Sequence, residues 1–203
     1  MRVIGGTARG RPLRAPRTAA VRPTSDRVRE AIFDVLGSLG AVEGAAVCDL
    51  FAGSGALGIE ALSRGAASVT FVESAPAAVA ALQANLTSTG FAGRAEVRVV
   101  RRDARTFLAT IPTAYDLVLA DPPYAFTAWA ELLAPVRAGV VVAEHRDPIL
   151  LPDHLVEHRV YRYGSTIVTV ARVRREVPAR STCAAADREG LAASALAIPE
   201  DGS

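Results

Sequence analysis

The chain has 203 residues, half of them hydrophobic, which is ample for one core and thin for two. Its apolar runs fall short of the ~20 residues of a membrane span, residues 1–6 lack the apolar segment of a secretory signal, and Cys48 and Cys183 make neither a Cys-x-x-Cys pair nor a disulfide framework. A membrane protein, a disulfide-stapled module and a structural zinc domain are thereby disfavoured, and a cytoplasmic location is expected.

The net charge of +2 conceals an uneven distribution, and every basic residue is arginine. Residues 1–29 hold eight arginines (2, 9, 11, 14, 17, 22, 27 and 29) and one acid, Asp26, a local charge of +7; the remainder holds 15 arginines and 20 acids, or −5. Genomic base composition can account for the missing lysines but not for the clustering. Forked guanidinium groups match phosphate oxygens, so the asymmetry points to a polyanion met by the amino-terminal part of the chain. Together with the composition of the carboxyl-terminal residues, this is read as a basic arm over 1–20, a main domain over 21–174 and a tail over 175–203.

In chain order, the β-prone residues 2–4, the turn-rich Gly5-Gly6-Thr7-Ala8-Arg9-Gly10 and Arg11-Pro12-Leu13-Arg14 predict a basic hairpin. Thr24 or Ser25 can cap a helix running to about Leu36, with Val28, Ala31, Ile32, Val35 and Leu36 on its inner face. Arg22, Arg27 and Arg29 fall away from that stripe and are expected to be available to solvent or ligand. Gly37 and Gly40 end the helix.

Residues 45–51 predict a buried parallel strand, followed by Ala52-Gly53-Ser54-Gly55-Ala56-Leu57-Gly58 and a helical run from Ile59. Glycines 53, 55 and 58 let the backbone turn sharply and approach a ligand while the helix start offers free N–H donors. A plain tight strand-to-helix turn would look similar, so the neighbours decide. A second strand, 68–72, ends in Glu73, where an acid can accept hydrogen bonds from ribose hydroxyls. Asp49, four residues ahead of Gly53, suits a cationic group better than a pyrophosphate, which favours S-adenosylmethionine over NAD. A helix over 77–86 and a strand over 96–100 continue the alternation and lead to Asp103 and Ala104. Asp103 can accept the amino hydrogens of an adenine; capping a short helix over 105–109 explains it equally well.

The fourth strand, 115–120, delivers Asp121-Pro122-Pro123-Tyr124. Two prolines cannot continue a ladder and stiffen the exit, so a carboxylate, the Pro122 carbonyl and an aromatic face are presented on a rigid ledge. That set suits gripping a planar amine by its N–H hydrogens while stacking on its ring. Taken alone, the four residues also fit a Pro-Pro turn with a capping Asp and a core tyrosine. Trp129, Leu132, Leu133 and Val136 have helical spacing and are expected in the core, and residues 140–144 make a fifth strand. His154 and His158 have the spacing of a helical metal pair, but their flanks are strand-like and no third ligand is evident, so no metal is expected. Residues 160–163 and 166–173, joined at Gly164-Ser165, predict a closing hairpin. The tail is rich in alanine, serine and charge and is expected to be mobile, with a docked helix over 190–198 as the alternative.

The combination Asp49-Leu-Phe-Ala-Gly-Ser-Gly-Ala-Leu-Gly58, Glu73, Asp103 and Asp121-Pro-Pro-Tyr124 resembles a Rossmann-like, S-adenosylmethionine-dependent amino-methyltransferase. Arg2-Val-Ile-Gly-Gly6, Gly10-Arg11 and Arg22-Pro-Thr-Ser-Asp-Arg-Val-Arg-Glu30 are similar to the RsmD family, bacterial enzymes that methylate one guanine of small-subunit ribosomal RNA. The likeness covers about residues 1–174; alanine-rich helices and a longer tail depart from it. It implies an α/β fold, a doubly wound, mostly parallel seven-stranded sheet with an amino-terminal β-hairpin extension. Further implications are S-adenosylmethionine as cofactor, held by Asp49, Gly53, Gly55, Gly58, Glu73, Asp103 and Ala104, and catalysis by Asp121, Pro122 and Tyr124. RNA would lie on Arg2, Arg9, Arg11, Arg14, Arg22 and Arg27. The implied target is the N2 amine of guanine 966 in 16S rRNA or in a small-subunit assembly intermediate, and the implied state is a monomer. Two rival classes share features with it. Asp-Pro-Pro-Tyr also occurs in enzymes resembling DNA adenine-N6 or protein glutamine methyltransferases, but a chain this short shows no separate target-recognition domain. A non-catalytic RNA-binding module would explain the arginines and leave the glycine loop, Glu73 and the Pro-Pro ledge coincidental.

Overall fold

The computed structural model describes residues 1–15, 26–110 and 115–174. The expectations placed on Arg17, Arg22, Thr24, Ser25, Cys183 and the tail lie outside the described residues. Seven strands, β1 Ala46–Leu50, β2 Ser68–Glu73, β3 Val97–Arg101, β4 Tyr115–Ala120, β5 Ala138–His145, β6 Leu155–Tyr163 and β7 Thr166–Val173, form one sheet in the order β3-β2-β1-β4-β5-β7-β6. The first five run parallel, and β7 is antiparallel to both β5 and β6. This is the mixed, doubly wound sheet of a Rossmann-like fold.

The central strands are buried on both faces, so they read as unbroken apolar runs. Val47, Leu117, Leu119, Val140, Val142, Val168 and Val170 face a layer made by α1 Asp26–Ser38, α2 Ala56–Ser63, α3 Pro76–Thr89 and the amino-terminal residues. Cys48, Leu50, Val118, Ala120, Val141 and Ala143 face α4 Ala104–Thr110 and α5 Trp129–Leu133. Cys48 is fully buried, as expected of a strand residue, and burial pushes its thiol far up from the ordinary cysteine range. After β3 the chain returns to lay β4 beside β1, with Leu50 opposite Ala120. This reversal of strand order makes a crevice at the carboxyl ends of β1 and β4, where open α/β sheets bind ligands.

The hairpin forms around a bridge between Arg2 and Pro12, with Val3 N–H donating to the Arg11 carbonyl at 2.9 Å and Gly10 N–H to the Val3 carbonyl at 2.8 Å. It is docked rather than free. Val3, Ala8 and Leu13 are buried in the layer of α1 to α3. The Ile4 and Gly5 amides each donate to the Glu60 carboxylate at 2.8 Å, the Ala8 amide to Ser63 Oγ at 2.9 Å, and Arg14 and Asn85 exchange two hydrogen bonds of 2.9 Å. Gly6, at φ 74°, lies so close to α2 that a Cβ would sit 1.7 Å from the Ser63 carbonyl oxygen. Only glycine fits there.

Arg29 corrects the helical-face expectation. The buried stripe of α1 is Val28, Arg29, Ile32, Phe33 and Leu36, and the Arg29 side chain is fully buried rather than offered to solvent. Residues 29, 33 and 36 follow the i, i+4, i+7 spacing of a single face, and the volume of Phe33 turns that face toward the core. Ala31 and Val35 end half-buried beside it. A buried guanidinium requires partners: Arg29 pairs with Asp26 at 3.0 Å, donates to the Arg2 carbonyl and lies 3.8 Å from Glu60. It thus fastens α1 to both the hairpin and α2, while Arg27 stays exposed. His154 precedes β6 and His158 lies within it, so the two do not form a helical pair. No helix among the described residues is long and apolar enough to cross a membrane.

Candidate active site

At the exit of β1 the chain turns within a few residues. Phe51 adopts φ 60°, a strained value for a non-glycine residue, and Gly53 and Gly55 follow at 55° and 80°. The glycines serve different ends. A Cβ on Gly55 would lie 2.2 Å from Leu82 Cδ1, and one on Gly58 would lie 2.3 Å from Phe71 Cε1 and 3.0 Å from Asp49 Oδ2. Both are set by packing beneath the loop. Beside Gly53 the nearest atom is the Phe51 carbonyl oxygen at 3.8 Å, so the loop is open at that point.

Asp49 is buried under this loop, and its Oδ2 accepts the Gly58 amide hydrogen at 2.9 Å. Burial pushes its pKa up to about 7; the Gly58 hydrogen bond opposes the rise, and the charges of Asp121 and Glu73 add to it. Glu73, half-buried at the end of β2, accepts the Gly53 amide on Oε2 and the Ala75 amide on Oε1, both at 2.8 Å. A carboxylate has lone pairs for further donors. Asp103 is exposed, and its Oδ1 accepts the Thr106 amide at 3.0 Å and the Thr106 hydroxyl at 3.3 Å. It therefore caps α4, with Ala104 buried behind it. Asp49, Gly53, Gly55, Gly58 and Glu73 are gathered at the exits of β1 and β2; Asp103 and Ala104 follow β3, one strand further out.

Asp121 and Tyr124 follow β4 directly. Asp121 is half-buried, Pro122 is buried, and Tyr124 is 42 % exposed. Beside them is a cavity of about 140 Å³ lined by Pro122, Tyr124, Phe126, Trp129, His145 and Arg146, among others. One side is an aromatic chain with edge contacts, Phe126 to Trp129 at 5.4 Å and Trp129 to His145 at 5.9 Å between ring centres, and Phe51 meets Phe126 at 5.2 Å from outside the lining. Trp129 is a core residue, as its spacing predicts, and one edge also meets the cavity.

His145 Nδ1 lies 2.8 Å from the Asp147 carbonyl and Nε2 lies 2.8 Å from Thr169 Oγ1. A carbonyl only accepts, which assigns the proton to Nδ1 and leaves Nε2 to accept from the threonine hydroxyl. Burial lowers the pKa of this imidazole and favours that neutral form. Phe126, His145 and Arg146 carry no local sequence signal for a site; they reach it because β4 pairs with β5 and the two exits lie side by side.

On the amino-terminal face, Arg2, Arg9 and Arg27 line a second cavity of about 310 Å³ together with Asp26 and Glu30. Arg11 instead donates from Nη1 to the Ser88 carbonyl at 3.0 Å, near the end of α3, and the Arg14 backbone is tied to Asn85. Three of the expected RNA-binding arginines are thus grouped and two stand apart.

The family model described as Conserved hypothetical protein 95 matches residues 1–172. YlbH of Bacillus subtilis (strain 168), provisionally named an rRNA methyltransferase, is 37 % identical over 187 residues, covering 86 % of this chain and all of that one. The ribosomal RNA small subunit methyltransferase D of Escherichia coli (strain K12) is 47 % identical over 124 residues, which span 61 % of this chain and 60 % of the enzyme. A solved Escherichia coli structure, yhhF, provisionally described as a methyltransferase, superposes with a TM-score of 0.75 at 35 % identity over 85 % of this chain and 97 % of that one. A match across the hairpin, the glycine loop and the Asp121-Pro122-Pro123-Tyr124 ledge together means that the chain belongs to this family, the RsmD-like methyltransferases.

Proposed function

We propose that the protein transfers a methyl group from S-adenosylmethionine to the exocyclic N2 amine of a guanine in small-subunit ribosomal RNA, by family resemblance guanine 966. The observation that carries this reading is the convergence of Asp49, Glu73 and Asp121 from three adjacent strands around one glycine loop, close enough for two of the charges to raise the pKa of the third. Such a site repels a pyrophosphate and attracts a cation. The names of the relatives, both rRNA methyltransferases, supply the class of acceptor.

The residues present fit the cofactor. The open face at Gly53 admits a close ligand, Asp49 suits its cationic part, and Glu73 retains acceptor capacity for ribose hydroxyls. Asp103 and Ala104, one strand further out, are the candidates for its adenine. When bound, the cofactor supplies an activated methyl group on a sulfonium. The chain's own contribution is alignment, and well-oriented reactants can gain ~7–11 kcal/mol.

A guanine amine delocalises its lone pair into the ring and is a poor nucleophile. Accepting its two N–H hydrogens on the Asp121 carboxylate and the Pro122 carbonyl draws the nitrogen toward tetrahedral geometry and exposes the lone pair. Tyr124 stacks on the extruded base, a contact worth ~1–3 kcal/mol in single-strand recognition. The Asp121 carboxylate is also placed to take the proton the methylated amine must lose. Phe51, Phe126 and Trp129 give that side of the site an apolar, edge-packed wall. Arg2, Arg9 and Arg27 are the group best placed for RNA phosphates, with Arg11, Arg14 and Arg22 as further contacts.

Methyl transfer from labelled cofactor is measured in parallel on naked 16S rRNA, small-subunit assembly intermediates, DNA and protein. Label is expected in ribosomal RNA and, after digestion, in N2-methylguanosine. Label in DNA adenine or a glutamine side chain would assign the site to a rival class.

A further inference from the structure

The loop after β5 presents a cation to the ledge. The Arg146 guanidinium lies over the Tyr124 ring, with Cζ 3.6 Å from the ring centre, well inside cation–π range. A group at that distance covers one face of the ring, yet Tyr124 is still 42 % exposed. A base that stacks on this ring must therefore do so from the side opposite the guanidinium. Arg146 is held between two fixed neighbours. His145 before it is buried and anchored to Thr169 of β7, and the Asp147 carbonyl after it accepts from the same imidazole. Trp129 backs the imidazole edge-on. The connection runs from the sheet through His145 to Arg146 and ends on Tyr124, and all but Thr169 border the cavity beside Pro122.

We propose that Arg146 is a positioning residue: it holds the Tyr124 ring from one face so that the other face is fixed for stacking by the target base. This rests on the reading in which Tyr124 stacks on that base. A planar guanidinium suits the task because it stacks flat on an aromatic face as well as attracting it by charge. An exposed tyrosine on an irregular segment otherwise keeps its side-chain rotations, and a misplacement of about 1 Å at a reacting centre can cost ~10²-fold in rate.

The test uses the full chain with Arg146→Met, Arg146→Lys, Tyr124→Leu and the Arg146→Met/Tyr124→Leu double substitution. Methyl transfer to small-subunit RNA, cofactor affinity and the ring signals of labelled Tyr124 are followed. Arg146→Met is expected to lower kcat about 5- to 30-fold, the range of a partly desolvated cation–π contact. The KM for RNA and the cofactor Kd are expected to move less than about 2-fold. Arg146→Lys should recover part of the loss, because it restores charge without the flat stack. In the Tyr124→Leu background Arg146→Met should add nothing. A loss that appears in the RNA KM, varies with salt and persists in that background would make Arg146 a phosphate contact and overturn the proposal. Ring signals unaltered by Arg146→Met overturn it whatever the substrate. A wild-type protein that methylates no ribosomal RNA while those ring signals do shift would sink the RNA reading and leave the ring contact standing.

Discussion

Asp49 and Gly58 are joined by a hydrogen bond of 2.9 Å from the glycine amide to Oδ2 of the carboxylate. This bond ties β1 to the first turn of α2 and fixes the length of the loop between them. It also holds a carboxylate where burial disfavours its charge. Gly58→Ala would place a methyl group 2.3 Å from Phe71 Cε1. Overpacking of that kind costs ~1–3 kcal/mol, so the midpoint of denaturant unfolding should fall while the slope stays constant. An unchanged midpoint would mean that α2 shifts freely against β2.

The raised Asp49 pKa makes stability and ligand binding depend on pH in opposite directions. Unfolded, the group titrates near its ordinary value of 3.8; folded, it titrates at about 7, so between these values the folded state holds the extra proton. Its contribution to stability is fully present below about pH 4 and is lost as pH rises through about 7, a change on the order of 4 kcal/mol at most. A cationic ligand favours the ionised form, so affinity for S-adenosylmethionine should rise between about pH 6 and 8 with release of a proton. Asp49→Asn keeps an acceptor for Gly58 and should abolish both dependences. Calorimetry in buffers of different ionisation heat reads the proton directly; no proton release would separate Asp49 from the ligand.

Glu73→Ala removes the acceptor of two loop amides, Gly53 and Ala75. The expected loss is ~1–3 kcal/mol in cofactor affinity. A smaller loss of thermal stability should accompany it, because Gly53 and Ala75 lose their partners whether or not ligand is present. Glu73→Gln should retain part of both. If affinity is untouched while stability falls, Glu73 serves the loop and not the ligand.

The sheet and the site differ in how far they could be read from the chain. Continuous apolar runs such as residues 117–120, each closed by an acid or a turn, carry strand identity and place Asp49, Glu73 and Asp121 at carboxyl ends. The ledge, the glycine loop and the hairpin announce themselves through proline and glycine, whose backbone constraints are local. Arg29 shares a helical face with Phe33 and Leu36, but a charged residue reads as exposed until its partners are known, and those partners, Glu60 and the Arg2 carbonyl, come from distant segments. Arg146 was invisible for the same reason: its position over Tyr124 requires the pairing of β4 with β5. Glu60 has the form of an ordinary helix-surface acid, and only the folded chain shows it accepting from Ile4, Gly5 and Arg64 at once.

Asp121→Ala should lower kcat for methyl transfer by far more than it weakens cofactor binding, because its proposed role is exercised on the acceptor amine. One charge-assisted hydrogen bond removed from the transition state corresponds to ~10²-fold or more. Single-turnover rates set beside cofactor Kd values distinguish the roles. Losses of equal size in both would make Asp121 a cofactor ligand.

The docked hairpin changes how RNA recognition has to be tested. Read from sequence, it belongs to a basic arm set apart from the main domain. In the fold, deleting residues 1–14 strips Val3, Ala8 and Leu13 from the core and takes two amide donors from the buried Glu60 carboxylate. Leaving a buried charge short of partners costs several kcal/mol, so that truncation should destabilise α2 and the glycine loop with it. Substituting the exposed cations is the cleaner experiment. If Arg2, Arg9 and Arg27 each meet a phosphate, changing all three to alanine should flatten the log affinity against log salt slope by ~2–3, at ~0.7–0.9 per contact. Cofactor affinity and thermal stability should hold, because these three side chains are exposed. RNA binding titrated across a series of salt concentrations reads the slope. A triple variant with the wild-type slope would remove this face from the RNA path and shift attention to Arg11 and Arg14 beside α3.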